Sequence, residues 1–301
     1  MNAFPARLRP PIAAIVAALA IAGALGARGA PRWRPAGPDG GGPIVLAADP
    51  VDAAILYAAV PVPPYGLDTK LFRSRDGGLS WTGANLGLEG ERVISLAIDP
   101  AEPARLYAVT AVQGGISDGA GGVYRSDDAG AHWTRVGSPP TPGGLGGSST
   151  LLILPEALLL STFRGVVRSR DEGETWEPSD PSAPSDVLAL QADPRDARIV
   201  YAAGWFGRAR SRDGGLTWTA LNDPPGWRGD AVTAFALAPT APRTLYEYTF
   251  WRGVYRSRDG GDTWKGPSAV PGIGNLETEH LLVDPEDPKT FYLATTAGAF
   301  V

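Results

Sequence analysis

One eight-residue motif recurs along this chain and concentrates residue types that could carry chemistry. Its five copies read SRDGGLSW, SDDAGAHW, SRDEGETW, SRDGGLTW and SRDGGDTW, and they start at Ser74, Ser126, Ser169, Ser211 and Ser257. A hydroxyl, a carboxylate and an arginine close together in sequence suit nucleophilic or acid catalysis. The same residues suit a tight turn, because a short Asp side chain accepts hydrogen bonds from nearby amides and glycine adopts a positive φ.

The recurrence of the motif favours the turn. We interpret its aspartates as turn residues, with a weakly bound calcium ion beside one of them as the alternative. The closing tryptophans are expected to fill the space between neighbouring repeat units, and an arginine at one fixed position before each motif is expected to form a structural ladder. These residues are Asp76, Asp128, Asp171, Asp213 and Asp259; Trp81, Trp133, Trp176, Trp218 and Trp264; and Arg73, Arg125, Arg168, Arg210 and Arg256.

The sequence around the motif predicts an all-β fold. The closing tryptophans are 42 to 52 residues apart, and four short runs of β-branched, aromatic and aliphatic residues recur in each repeat unit. Such a unit is typical of a β-propeller blade. We therefore predict a single propeller over residues 31–301, with six blades of four antiparallel strands and seven blades as the alternative.

The predicted blades cover residues 45–92, 93–149, 150–186, 187–231, 232–280 and 281–301. The last of them contains three strand-like runs, which would leave an unpaired edge. The segment from Trp33 to Ala36 resembles the fourth strands of other units. We therefore predict that residues 31–37 complete blade six and close the ring.

Composition excludes several classes of function. The formal net charge of -5 argues against a nucleic-acid partner. The chain has no cysteine and only two histidines, His132 and His280, which excludes disulfides and thiolate metal sites. We predict no metal site and no cofactor, apart from the calcium alternative above, and we expect a monomer.

The first thirty residues predict export. Arg7 and Arg9 precede an uncharged apolar run from Ile12 to Leu25, and small residues follow. This order is that of a signal peptide, and the run is short for a membrane span. We expect a periplasmic or extracellular bacterial protein, with an uncleaved N-terminal anchor in the membrane as the alternative.

The motif copies resemble the Asp-box, or BNR, repeat of bacterial sialidases, xyloglucan-cleaving hydrolases, the sortilin ectodomain and photosystem II assembly factors. The longer unit, DPxxPxxLYA followed by GVYRSxDGGxTW, looks most like the last three groups, and the resemblance covers about 45 to 301. In size and in having one propeller, the chain is closest to the photosystem factors. The resemblance implies that the Asp boxes lie away from the active face and do no catalysis.

Strand order predicts which loops share a face. The first-to-second turns and the Asp boxes should lie on one side of the propeller, whereas the variable second-to-third turns and the links between blades should lie on the other. That side combines aromatic residues with arginines, as interface hot spots do. The predicted partner-contact residues are Arg164, Trp205, Phe206, Trp227, Arg228, Trp251 and Arg252. The candidate catalytic carboxylates are Glu247, Asp186, Asp230 and Glu279, with no spacing that singles out a pair.

Three functions are compatible with this face. The first is a non-catalytic scaffold that binds a protein or peptide. The second is a glycoside hydrolase, but the Phe-Arg-Ile-Pro signature of sialidases is absent, since Phe163-Arg164 continues with Gly-Val, and xyloglucanases use two facing propellers. The third is a lectin-like module whose tryptophans stack on sugar rings. Interface residues without a catalytic constellation favour the scaffold, and whether the chain is an enzyme stays open.

Overall fold

The fold is known from a computed structural model that describes residues 38, 45–62, 69–111, 121–140, 149–249, 252–268, 278–295 and 298–300. All regular secondary structure in these residues is β-strand. No helix in this part of the chain is long and apolar enough to cross a membrane.

Within the described ranges the strands form six antiparallel sheets, in each of which strands that follow one another in sequence are neighbours. We call the sheets blades one to six. Blade one contains β1 (Val45–Ala48), β2 (Leu56–Pro61), β3 (Thr69–Ser74) and β4 (Thr82–Gly83). Blade two contains β5 (Arg92–Ile98), β6 (Leu106–Ala111), β7 (Val123–Ser126) and β8 (Thr134–Gly137). Blade three contains β9 (Leu151–Leu154), β10 (Ala157–Thr162), β11 (Gly165–Ser169) and β12 (Glu177–Pro178).

Blade four contains β13 (Val187–Asp193), β14 (Asp196–Gly204), β15 (Gly207–Ser211) and β16 (Thr219–Ala220). Blade five contains β17 (Val232–Ala238), β18 (Ala241–Thr249), β19 (Gly253–Ser257) and β20 (Lys265–Ser268). Blade six contains β21 (Thr278–Val283), β22 (Phe291–Thr295) and β23 (Gly298–Phe300).

The predicted all-β fold of four-stranded antiparallel blades is confirmed. Five of the sheets have four strands, and blade six has three in the described residues. The segment Trp33 to Ala36, predicted to supply a fourth strand, lies outside the described residues, as does the predicted signal segment. Closure of the ring by that segment therefore stays a prediction.

Each Asp box is a turn that closes on itself. In all five boxes the serine hydroxyl donates a hydrogen bond of 2.8 Å to the aspartate and accepts one from the amide four residues ahead. The aspartate also accepts from the amide four residues ahead of itself. Hydrogen bonds from within the box lower the pKa of four of these carboxyls to about 2, those of Asp76, Asp128, Asp171 and Asp259.

The hydrophobic core consists of apolar clusters between consecutive blades. In blades two to five, the box tryptophan packs into the cluster that its blade shares with the preceding blade. Trp133 of blade two lies with Tyr57 and Leu71 of blade one, and its indole donates a 2.8 Å hydrogen bond to the carbonyl of Ala84. The same packing holds in the next three interfaces, for Trp176, Trp218 and Trp264. These buried rings fix each blade against its neighbour.

Arginines that precede the boxes reach the next blade. Arg125 of blade two forms an ion pair of 2.7 Å with Glu172 in the box of blade three. Arg210 of blade four donates to the carbonyl of Gly260 in the box of blade five, at 2.9 Å. These contacts place both arginines at seams between blades.

Candidate functional site

The Asp boxes lie beside the first-to-second turns. In blade one the amide of Gly77 donates a 2.9 Å hydrogen bond to the carbonyl of Ala54. Equivalent bonds occur in three other blades, from Ala129 to Ala104, from Gly214 to Arg198 and from Gly260 to Arg243. Because successive strands are antiparallel, the second-to-third turns and the links between blades lie at the opposite end of the strands. We call that side the loop face.

Asp186 joins two turns of the loop face. Its amide donates a 2.9 Å hydrogen bond to the carbonyl of Phe163 in blade three, and its own carbonyl accepts one of 3.3 Å from the amide of Trp205 in blade four. Asp186 has a φ of 49°, a left-handed conformation that is uncommon for a residue with a side chain. Gly204 allows the backbone of blade four to approach Asp186 closely, since a Cβ at this position would lie 2.1 Å from the Asp186 carbonyl oxygen. The two turns are therefore held in one arrangement.

These two turns present aromatic rings to solvent. Phe163 is 44% exposed, Trp205 is 54% exposed and Phe206 is 71% exposed. No other Phe, Tyr or Trp side chain in the described part of the chain is exposed. Arg164, beside Phe163, is exposed as well. We call Phe163, Trp205 and Phe206 the aromatic ridge.

The link between blades four and five holds a second group of predicted contact residues. The indole of Trp227 donates a 2.8 Å hydrogen bond to the carbonyl of Asp230, and the Asp230 carboxylate forms an ion pair with Arg252. Trp227, Asp230 and Arg252 are therefore half-buried and hold one another in place, whereas Arg228 is exposed. Trp251, also predicted as a contact, lies outside the described residues.

Glu247 does not lie on the loop face, which corrects the expectation from the sequence. It lies within β18, its side chain is fully buried, and its Oε2 is 2.9 Å from the Nε of Arg208 on β15, which is also fully buried. Burial raises the pKa of Glu247 to about 7, and the charge of Arg208 opposes that rise. The pair lies in the otherwise apolar interface between blades four and five.

Arg208 was not singled out from the sequence, although a signal for it exists. Three residues before the box serine, the other four complete blades carry leucine or valine, as Leu71, Val123, Val166 and Val254. Glu247 also breaks the repeat, because the matching positions on the second strands hold Ala58, Ala108, Leu160 and Ala202. A charge at an apolar position of the repeat, in each of two adjacent blades, predicts that the two charges meet.

The other candidate carboxylates have different surroundings. The Asp230 side chain is 16% exposed and is paired with Arg252. The Asp186 side chain is half-buried beside the aromatic ridge, and of Glu279 in β21 only the backbone is described. Two of the four candidates, Asp230 and Glu247, are thus paired with arginine rather than directed at a substrate. Among the described residues, no three acidic or histidine side chains lie together as a metal site.

Comparison with known proteins supports the fold. No protein-family profile matches the chain. Over 196 residues it is 29% identical to a xyloglucanase from Paenibacillus sp and to the xyloglucanase Xgh74A from Acetivibrio thermocellus. Each alignment covers 60% of this chain, but only 16% of the first relative and 20% of the second. The chain thus matches no more than a fifth of the length of these enzymes.

Solved propeller structures resemble the chain over most of its length. A GH74 enzyme from Niastella koreensis superimposes with a TM-score of 0.67 at 18% identity, covering 86% of this chain and 44% of the enzyme. YCF48 bound to D1 peptide superimposes with a TM-score of 0.58 at 17% identity, covering 82% of this chain and 73% of that protein. YCF48 from Cyanidioschyzon merolae gives 0.60 at 15% identity, covering 87% and 82%.

At these identities the structural likeness concerns the fold. It agrees with the resemblance carried by the five Asp boxes, since xyloglucanase propellers and the photosystem II assembly factor YCF48 are among the similar structures. The chain is an all-β propeller of four-stranded antiparallel blades, and its five Asp boxes resemble those of other Asp-box propellers.

Proposed function

We propose that this chain is an exported, non-catalytic scaffold that binds a protein or peptide partner through the loop face. The observation that carries the proposal is the aromatic ridge, whose rings are 44% to 71% exposed although their turns are fixed by Asp186. Exposed aromatic rings beside an arginine are the residues that contribute most to protein interfaces. Because Asp186 already fixes the turns that carry these rings, binding a partner would remove less conformational entropy. YCF48, a propeller of similar fold, has been solved bound to D1 peptide.

Glycoside hydrolysis is the second candidate, and the sequence similarity to xyloglucanases favours it. Hydrolysis with inversion needs two carboxyl groups about 6.5–9.5 Å apart across a sugar. Asp230 and Glu247 are instead engaged by Arg252 and Arg208. A lectin-like use of Trp205 without turnover is the remaining alternative.

A differential capture experiment tests the scaffold. The wild type and the Trp205→Ala/Phe206→Ala variant are immobilised and exposed to an extract of the source cells, and the captured proteins are quantified. The matched control is Leu79→Ala/Leu216→Ala, which removes two exposed apolar side chains, 87% and 41% exposed, from the Asp-box side. We expect at least one protein that the wild type and the control capture and the ridge variant does not.

Identical captured sets for all three proteins would contradict the proposal. Turnover of xyloglucan or sialyl oligosaccharides by the wild type, lost in Asp230→Asn, would favour the hydrolase. Retention of these sugars without turnover, lost in Trp205→Ala, would favour the lectin-like module.

A further inference from the structure

Arg208 and Glu247 place a charged pair inside the interface between blades four and five. The relative exposure of both side chains is 0%, and 2.9 Å separates Arg208 Nε from Glu247 Oε2. The surrounding side chains are apolar or aromatic and include Tyr201, Phe235 and Trp264. A buried pair of this kind gains little from charge alone, because removing both groups from water is unfavourable.

Arg208 also extends from the interface to the link between the two blades. Its Nη1 lies 3.0 Å from the carboxylate of Asp223, which is 59% exposed. Its guanidinium carbon lies 4.9 Å from the ring centroid of Trp227. Both contacts are on the link that carries Arg228. One arginine side chain therefore connects a buried carboxylate with a segment of the loop face.

The groups that face Glu247 come from three elements. Arg208 approaches from β15 and Asp223 from the link. Tyr255 lies opposite Glu247 on β19, and burial is the main cause that raises the pKa of its phenol. Beyond Tyr255, the pair formed by Arg252 and Asp230 adds one charge of each sign. Arg208 is thus the cation in direct contact with Glu247 in the described structure.

The ionisation state of Glu247 decides what holds Arg208. When Glu247 is ionised, the guanidinium lies between two carboxylates, one in the interface and one on the link. When Glu247 is protonated, its electrostatic attraction for the Arg208 guanidinium is lost. Asp223 is then the carboxylate that still attracts Arg208. Because burial raises the pKa of Glu247 to about 7, both states are populated close to neutral pH.

We propose that Glu247 is a buried proton switch that acts through Arg208 on the link between blades four and five. At higher pH the ionised carboxylate anchors Arg208, and Arg208 holds Trp227 and Asp223 in place. At lower pH the anchor is released and the link is held less firmly. If the scaffold function proposed above holds, a partner that contacts Arg228 on this link binds more tightly at pH 8 than at pH 6.

The switch is tested by ¹⁹F NMR on protein that contains 5-fluorotryptophan. The Trp227 resonance is assigned by its loss in Trp227→Phe. We expect it to shift between pH 5.5 and 8.5 with a midpoint near the pKa of Glu247, about 7, and to stay constant in Glu247→Gln. Glu177→Gln, which changes an exposed carboxylate on β12, is the matched control and should titrate like the wild type.

Two results would overturn the switch. One is a Trp227 resonance that does not move with pH in the wild type, and the other is a resonance that titrates equally in Glu247→Gln. The double variant His132→Gln/His280→Gln must retain the titration, because histidines commonly change charge in this range. If Glu247→Gln does not fold, ¹³C-labelled glutamate in the wild type decides, since one side-chain carboxyl must titrate together with Trp227.

The effect of pH on partner binding is measured separately from the titration of Trp227. Affinity for the protein captured in the ridge experiment is determined at pH 6 and pH 8, where we expect a difference of about threefold or more in the wild type and none in Glu247→Gln. A titrating Trp227 resonance without a captured partner would contradict the scaffold function and leave the switch intact. A captured partner whose affinity is the same at both pH values would contradict the regulatory consequence alone.

Discussion

Phe163 and Trp205 belong to different blades, yet both hydrogen-bond to the backbone of Asp186. The Phe163 carbonyl accepts from the Asp186 amide at 2.9 Å, and the Trp205 amide donates to the Asp186 carbonyl at 3.3 Å. The link between blades three and four is therefore part of the surface that presents the aromatic ridge. Partner binding should depend on this backbone as well as on the rings.

Gly204 offers a test of that dependence. In Gly204→Ala the new Cβ would lie 2.1 Å from the Asp186 carbonyl oxygen, so the contact must open. We expect capture of the partner to fall, and the free energy of unfolding in urea to fall by about 1–3 kcal/mol. Gly83→Ala is the control, since a Cβ at that position meets nothing within 4 Å. Equal capture by both variants would contradict a role for the Asp186 contact.

The pair of Arg208 and Glu247 predicts a non-additive pair of substitutions. Arg208→Ala leaves Glu247 buried without its cation, and we expect the free energy of unfolding at pH 8 to fall by about 3–5 kcal/mol. The double variant Arg208→Met/Glu247→Leu removes both charges and should recover most of that loss. Arg198→Ala, at an ion pair whose arginine is 77% exposed, should leave the free energy of unfolding nearly unchanged. A double variant as unstable as the single one would refute the interpretation.

Glu247 also predicts how stability depends on pH. The pKa of its carboxyl is raised from 4.5 to about 7 in the folded chain, so between these values the folded state holds a proton that the unfolded state has lost. The stabilisation is therefore complete below pH 4.5 and is lost as the pH rises through about 7. Protonation thus favours the folded chain as a whole even though it releases one link.

The measurement compares urea unfolding of the wild type and Glu247→Gln from pH 4.5 to 8. We expect the stability of the wild type relative to the variant to decline across this range. A difference that stays constant or increases with pH would show that the Glu247 carboxyl has no raised pKa.

The Asp boxes predict the opposite dependence in acid. Hydrogen bonds from Ser80 and Thr175 lower the pKa of Asp76 and Asp171 to about 2, so their stabilisation is present above pH 3.8 and is lost as the pH falls through about 2. The melting temperature of Asp171→Asn should therefore fall less than that of the wild type between pH 4 and pH 2. Glu156→Gln, in an exposed turn of blade three, is the control and should follow the wild type.

Two boxes have a side chain where the others have glycine, and these positions form a matched pair. Ala129 has a φ of 60° and Glu172 has a φ of 58°. Ala129→Gly should raise the free energy of unfolding by up to about 1 kcal/mol, because glycine adopts this conformation without strain. Glu172→Gly also loses the contacts with Arg125 and Arg105, at 2.7 and 3.4 Å, and should bring no net gain. Equal gains in chemical denaturation would show that these ion pairs contribute nothing.

Much of the fold could be predicted because each blade repeats the same short sequence patterns. Alternating apolar runs, Asp-Pro turns and Asp boxes specify strands and their order, and strand order specifies which turns share a side. The exposure of Trp205 and Phe206 follows from their place between β14 and β15. The position of Glu247 could not be predicted from the loops, because it depends on which way each residue of β18 faces.

Other features depend on contacts between distant residues. The hydrogen bonds of Asp186 join residues 163 and 205, and nothing in the local sequence predicts its left-handed backbone. The pairing of Asp230 with Arg252 joins a link to a turn of the next blade. Such contacts are set by how blades pack, which a single sequence specifies only indirectly.

The buried pair of Arg208 and Glu247 favours the correct order of blades during folding. Chains built from similar repeats are prone to misassembly, because one blade can dock on the wrong neighbour. Blade four docked on any blade other than five would place Arg208 opposite the alanine or leucine that matches Glu247. An uncompensated charge in an apolar interface is strongly unfavourable. The ion pair therefore marks one seam of the propeller and disfavours wrong partners during folding.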